Sequence, residues 1–446
     1  MIKIELKKKG FKSLKKTTIN SMVPVKYLVM SFIYMVLLNV NYIFIKTSGF
    51  SLYLGGWFDF EFSWFSLFSS VIFGLLILYT FLKKINSIYS MLMSAIVFFG
   101  VLPAIVIYSY TGDVSKYYFY FFYVFLLLLF SFFGRREVKF SKKQDISKQA
   151  KVNVGVLRLI GLLGLILFFY FLFKNFSNLS FASFDEVYDQ RALSKELIIG
   201  FDKYLYLFMK FGSGFAFVLL AFYFKSFFYF FMFAIIFIFD YLLGAHKFSL
   251  FVIALTFVFF VYVKYKFLSK IKLEYLFFTI CFYFLLMISI LIHTVKDDFL
   301  PYVVAIYDRL YFVTAGIFSR NYEYVNIHGF FYGGSSKIGS IFSAEPVDVY
   351  SAIGAYYWAD GVVANTDIIS DAYVNFGILG VFITLFVFWG VFNRVDDKFF
   401  NQNKDVFLPV LILYSISAVY SLGLSIALLS GGLMYLIFYT KFRRYV

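Results

Sequence analysis

Cysteine, histidine and charge are all scarce in this chain, and each scarcity removes a class of function. One cysteine, Cys281, among 446 residues excludes an internal disulfide framework. Only three histidines are present, and CxxC, HExxH, DxD and paired-histidine spacings are all missing, so a metal site has no support. No GxxxxGK[ST] loop occurs either, which argues against ATP hydrolysis. Charged residues make up 15% of the chain, where a soluble domain carries about 25%.

Apolar sequence fills the space that charge leaves. The hydrophobic fraction is 62%, the aromatic fraction 25% and the mean hydropathy +0.83. About 20 consecutive apolar residues cross the ~30 Å hydrocarbon core. Stretches of that kind run at 27–45, 63–82, 87–109, 117–133, 153–173, 203–223, 226–244, 248–263, 274–293, 373–393, 406–421 and 423–440. Each is predicted to be a helix, because in lipid the backbone must satisfy its own hydrogen bonds. The 68 phenylalanines are read as lipid-facing composition. No repeat of period ~20–50 residues is visible.

The placement of basic residues orients these spans. Numbering connections from a cytoplasmic N-terminus, the even ones carry Lys83-Lys84, RREVKFSKKQDISKQAK (135–151), Lys225, KYKFLSKIK (264–272), Arg394 to Lys404, and the tail KFRRYV. With the basic N-terminal segment they hold about 28 of the 41 lysines and arginines, as the positive-inside rule requires. An odd number of spans would break the agreement. The net charge of +16 therefore points to membrane orientation and anionic lipid head groups, and not to nucleic acid. Residues 1–26 are too long and polar for a cleavable signal peptide and read as a cytoplasmic tail. The expectation is an all-α integral membrane protein of about 12 transmembrane helices, both termini cytoplasmic. It divides into the tail 1–26, a bundle over 27–293, an extracytoplasmic segment 294–372, and three final spans over 373–446.

Most outer connections are short, but 174–200 and 294–372 are long. Aromatic and glycine clusters in the second, HGFFYGGSSKIGSIF and GAYYWADG, predict ordered helices and turns lying on the membrane. Long loops on a rigid scaffold are where function concentrates. Among the outer cations are Arg191, His246, Lys247, Lys296, Arg309, Arg320, His328 and Lys337. Either several converge on a diphosphate, which the guanidinium fork fits, or they pair with Asp185, Asp189, Asp308 or Glu323 in the loops. Within the spans, Lys210 and Asp240 lie in consecutive segments joined by the short turn at Lys225. Intramembrane charges face the bundle interior and pair, so these two form a lipid-diphosphate site, a proton-linked site or a structural ion pair. Arg158 and Lys203 near span ends snorkel, and His293 is interfacial. General-base candidates in the second loop are His328, followed by GFFYGG, and Glu323, Glu345, Asp348, Asp360, Asp367 and Asp371. Tyr356, Tyr357 and Trp358 suit sugar stacking.

Three local features then resemble one family. The outer turn GAHKFSL (244–250) is similar to a Gly-x-Arg turn, with His246 and Lys247 in place of the arginine. RALSKELIIG and RNYEYVNIHG place eight intervening residues between Arg191 or Arg320 and a glycine, a closer spacing than the best-known form of that loop motif. NTDIISDAYVNFGILG (365–380), with Gly377 and Gly380, is similar to the family's loop-to-span junction. Together with the arrangement of spans, these resemble the O-antigen polymerases and, more distantly, the O-antigen ligases of bacterial envelopes.

The resemblance implies a metal-independent membrane glycosyltransferase with a GT-C-like bundle, no cofactor, and a site on the outer face of the bacterial inner membrane. Its substrates would be undecaprenyl-diphosphate-linked oligosaccharides, its partners a chain-length regulator and a flippase. Arg191, Lys247, Arg309 and Arg320 would take the diphosphate. Thr366 stands where the ligases place their histidine, which favours polymerase over ligase and leaves His328, Asp367 or Asp371 as the base. A ligase and a repeat-unit flippase are the alternatives.

Overall fold

A computed structural model describes residues 23–49, 60–83, 94–111, 150–151, 153–181, 186–265, 273–296, 298–332, 349–357, 368–392, 406–407, 409–410, 413 and 444–445. Its helices are α1 (Val25–Ser48), α2 (Trp64–Lys83), α3 (Val97–Ser109), α4 (Val154–Asn175), α5 (Val187–Leu197), α6 (Phe201–Phe224) and α7 (Phe227–Gly244). They continue with α8 (Lys247–Tyr265), α9 (Leu273–Thr294), α10 (Leu300–Tyr311), α11 (Val313–His328), α12 (Val349–Tyr357) and α13 (Ile368–Phe392). Among the described residues, seven helices are long and apolar enough to cross a membrane: α1, α2, α4, α6, α7, α9 and α13. The predicted spans 117–133 and 423–440, and most of 406–421, lie outside the described residues, as does the tail 1–22.

The helices pack as membrane helices do, with small residues at close crossings. A Cβ on Gly164 of α4 would sit 1.9 Å from the Ser213 Cβ of α6, and one on Gly74 of α2 would sit 2.2 Å from the Met35 terminal carbon. Outward faces are apolar: Leu159, Leu162, Ile166 and Phe173 of α4 are all exposed. Phenylalanine is not confined to that surface. Phe98, Phe222, Phe259, Phe260 and Phe278 are fully buried, and the Phe98 ring meets Tyr34, Phe81 and Phe277 edge-on. Large rings lose little rotamer freedom and fill the interior with many dispersion contacts, so the same residue serves core and lipid face.

Ring and backbone contacts sort the helix ends. At one end Tyr27 stacks on Tyr275 (4.1 Å), Lys264 caps Phe227 (3.9 Å) and Arg158 lies over Phe224 (5.4 Å). There Ala150–Lys151 pairs antiparallel with Arg444–Tyr445. At the other end Phe44 meets His293 (4.8 Å), the Glu61 amide donates to the Tyr110 carbonyl (2.8 Å) and the Ser180 amide to the Leu242 carbonyl (3.2 Å).

Two elements depart from the sequence-based expectation. The first is the start of the 294–372 segment, expected on the membrane surface. Here α10 and α11 are joined by Phe312 alone, and their junction packs into the bundle: Tyr311 meets Phe99 at 5.6 Å and Phe312 meets Tyr42 at 4.9 Å. Twelve residues in α10 reach ~18 Å, too short to cross. One side of α10, including Leu300, Val304, Tyr307 and Tyr311, is buried against the main core, and that apolar stripe draws it in. The second is α13, which starts at Ile368 and not 373, and is broken at Phe376 and Gly377 (φ +62°). The carbonyls of Val374 and Asn375 just before the break accept from the Phe331 and Tyr332 amides at 3.2 and 3.0 Å, so orphaned groups at a helix end are satisfied by the segment after α11.

Candidate functional site

At the end of the bundle where Ser180 meets Leu242, three features far apart in sequence come together. Residues 208–213 of α6 form a π-helical turn that includes Lys210. Such turns insert an extra residue into the helix, re-aim the neighbouring side chains, and recur at functional sites. Helix α7 ends at Gly244, and Ala245 adopts a left-handed conformation (φ 49°), turning the chain straight into α8. That reversal carries His246 and Ser249 back over Asp240.

Asp240 is the centre of the group and has no exposed side-chain surface. Its Oδ1 accepts from the Tyr206 hydroxyl at 2.8 Å, and its Oδ2 lies 2.8 Å from the Lys210 ammonium. The Ser249 hydroxyl donates to the same Oδ2, and His246 Nδ1 lies 3.4 Å from it. Four partners on one buried carboxylate offset the desolvation of the charge, which an isolated ion in this position could not bear. Lys210 also lies near the Phe211 and Phe237 rings, at 5.2 and 5.8 Å. A Cβ on Gly244 would stand 2.5 Å from the His246 Cε1, so only glycine leaves room for the imidazole here.

Helix α5, within the 174–200 connection, closes over this turn. The Gln190 amide donates to the carbonyls of Leu242 and Ser180, and Arg191 Nη2 reaches the Ala245 carbonyl at 3.4 Å. Arg191 is thereby placed beside the 244–249 turn. Lys247 is the first residue of α8, and its side chain lies outside the described residues. Helices α6, α7 and α8 also line a small apolar recess with Phe211, Phe215, Phe233, Phe237 and Val252, which Val410 completes.

Compared with family models, curated proteins and solved structures, the chain matches none. The chemistry therefore has to be argued from the arrangement of side chains.

A second polar group is built on α11, α12 and the first half of α13. Arg320 Nη1 pairs with Glu323 Oε2 at 2.8 Å, and the Tyr357 hydroxyl donates to the same oxygen at 3.2 Å beneath the guanidinium. Burial, with the Glu323 carboxylate beside it, pushes the Tyr357 hydroxyl well above its usual range, so it remains a donor. His328 ends α11 exposed, its ring 4.2 Å from Tyr324 and 5.2 Å from Tyr356. Asp371 accepts from the Tyr350 hydroxyl, and Asn375 donates to its carboxylate at 3.3 Å. Arg309 is half-buried on α10, next to the fully buried Asp308. Asp367, Glu345, Asp348, Asp360, Lys337 and Trp358 lie outside the described residues.

The structure thus joins Lys210, Asp240, Arg191 and the 244–250 turn, and it groups Arg320, His328 and Asp371 on a separate set of helices. Reading the sequence missed His246, Tyr206 and Ser249 as partners of Asp240. Tyr206 and Lys210 are four residues apart, one helical turn, which is a legible signal. The return of His246 onto Asp240 depends on the left-handed Ala245, which no residue type announces.

Proposed function

We propose that this chain is a repeat-unit polymerase of a bacterial surface polysaccharide, O-antigen or capsule, in the cytoplasmic membrane. In this reading a growing glycan moves from undecaprenyl diphosphate onto the terminal sugar of an incoming lipid-linked repeat, on the outer face. The observation that carries it is the Asp240 group: a buried carboxylate ringed by Lys210, His246, Tyr206 and Ser249, with Arg191 at the neighbouring turn. A diphosphate leaving group needs fixed cations where its charge develops. Intramembrane ionisable groups held in the bundle interior mark such sites.

One observation favours a second reading. The break at Gly377 makes α13 a discontinuous helix, a form that transporters use at their substrate sites, and a repeat-unit flippase would share the membrane setting. A clean deletion strain separates the two. Surface polysaccharide reduced to a single repeat on the lipid A core, with lipid-linked repeats accumulating outside, is the expected result. A bare core with repeats trapped inside would replace the polymerase by a flippase.

A further inference from the structure

Within the Asp240 group, the contact between His246 and Asp240 suits a second role beside the diphosphate. His246 Nδ1 is buried, and Asp240 Oδ2 at 3.4 Å is the acceptor it faces among the described residues. That distance is long for a hydrogen bond, as carboxylate–imidazole contacts often are before substrate tightens them. With Nδ1 turned to Asp240, Nε2 is the remaining nitrogen of a side chain that is 41% exposed, while Asp240 is fully enclosed. The missing Cβ at Gly244 lets the Nδ1–Cε1–Nε2 edge of the ring pack against the end of α7. A buried carboxylate beside one nitrogen of a part-exposed imidazole is the arrangement of an oriented general base.

We propose that His246 is the general base of the transfer, positioned by Asp240, which moves the base role away from His328, Asp367 and Asp371. This rests on the polymerase reading above. The acceptor hydroxyl gives its proton to His246 Nε2 as its oxygen bonds to the anomeric carbon of the donor. The bond from that carbon to the diphosphate breaks, and the electron pair leaves with undecaprenyl diphosphate. The imidazolium then returns its proton to water. The charged and titratable groups around the ring are Asp240 on α7, Lys210 and Tyr206 on α6, and Arg191 on α5 at the Ala245 carbonyl. Lys210 and Ser249 hold Asp240 Oδ2 in place beside the ring, so the carboxylate orients the imidazole.

The test uses the full-length protein in phospholipid nanodiscs, with lipid-linked repeats isolated from a strain lacking the enzyme, and kcat and KM followed across pH. Three variants are compared after a check of monodispersity: His246→Gln, His246→Arg and Asp240→Asn. For the wild type the rate should fall as pH drops and the imidazole takes up a proton. His246→Gln should lower kcat by ~10²–10⁴-fold with KM nearly unchanged and lose the acid limb. His246→Arg keeps a cation but cannot accept a proton, and should be as slow. Asp240→Asn should lower kcat and displace the limb. If His246→Arg stays within about threefold of wild type, the residue serves as a cation and the base assignment falls while the polymerase reading stands. An acid limb that persists in His246→Gln overturns it equally. A wild-type protein that binds the lipid-linked repeat yet forms no polymer removes the polymerase reading, and the base with it.

Discussion

The Lys210–Asp240 pair allows a direct separation of structure from chemistry. Lys210→Met keeps the length and apolar stem of the side chain and removes the charge 2.8 Å from a carboxylate with no exposed surface. Breaking a buried pair from one side costs about 3–5 kcal/mol because a buried charge is left behind. Here Tyr206 and Ser249 still donate to Asp240, so the lower end, ~3 kcal/mol, is expected, equivalent to roughly a hundredfold in the folding equilibrium. Replacing both partners, in Lys210→Met with Asp240→Leu, removes the uncompensated charge and should recover most of that loss. Unfolding of the four proteins of this cycle by heat or denaturant in the same detergent gives the coupling. Polymer formation by the double variant is then the informative number: stability restored with activity absent means the pair serves the reaction. Two results would refute the reasoning. One is a single variant less than ~0.5 kcal/mol below wild type, the range of ordinary surface substitutions; the other is a double variant no better than the worse single.

Further outcomes follow from packing. Gly164→Val should loosen α4 from α6, because its Cβ would meet the Ser213 side chain at 1.9 Å; a loss of about 1–3 kcal/mol is expected, with partial recovery when Ser213→Gly is added, read as thermal stability. Gly377→Ala forces a side chain onto φ +62° and against the Phe330 ring at 3.0 Å. The strain is ~1–3 kcal/mol, and faster proteolysis around 329–332 than in wild type would register it. Arg191→Ala and Arg320→Ala should each abolish long chains on a surface-polysaccharide gel while inserted protein persists; normal chain length in both would remove these residues from the site.

How much of this was legible beforehand differs by element. Hydropathy alone marks α1, α2, α4, α6, α7 and α9, since a run of apolar residues long enough for lipid can satisfy its backbone only as a helix. The pairing of Lys210 with Asp240 was legible too, from two charges in consecutive spans joined by a short turn. The inward packing of α10 and its junction with α11 was not. Its sequence is polar enough to read as a surface segment, and only the bundle shows the recess between α1 and α3 that its apolar stripe fills. The break in α13 was marked by Gly377 as a residue but not as an event, because glycine permits a positive φ without requiring one.

Composition and periodicity thus determine that the chain is helical and that several helices are long and apolar enough to cross a membrane, because both follow from local transfer free energies summed along the sequence. Which distant groups share a site is another matter. Arg191, Lys210, Asp240 and His246 meet through a π-helical turn, a left-handed alanine and a glycine that leaves space for an imidazole. Those are decisions of packing, made where non-local contacts outweigh local preference, and only the tertiary structure records them.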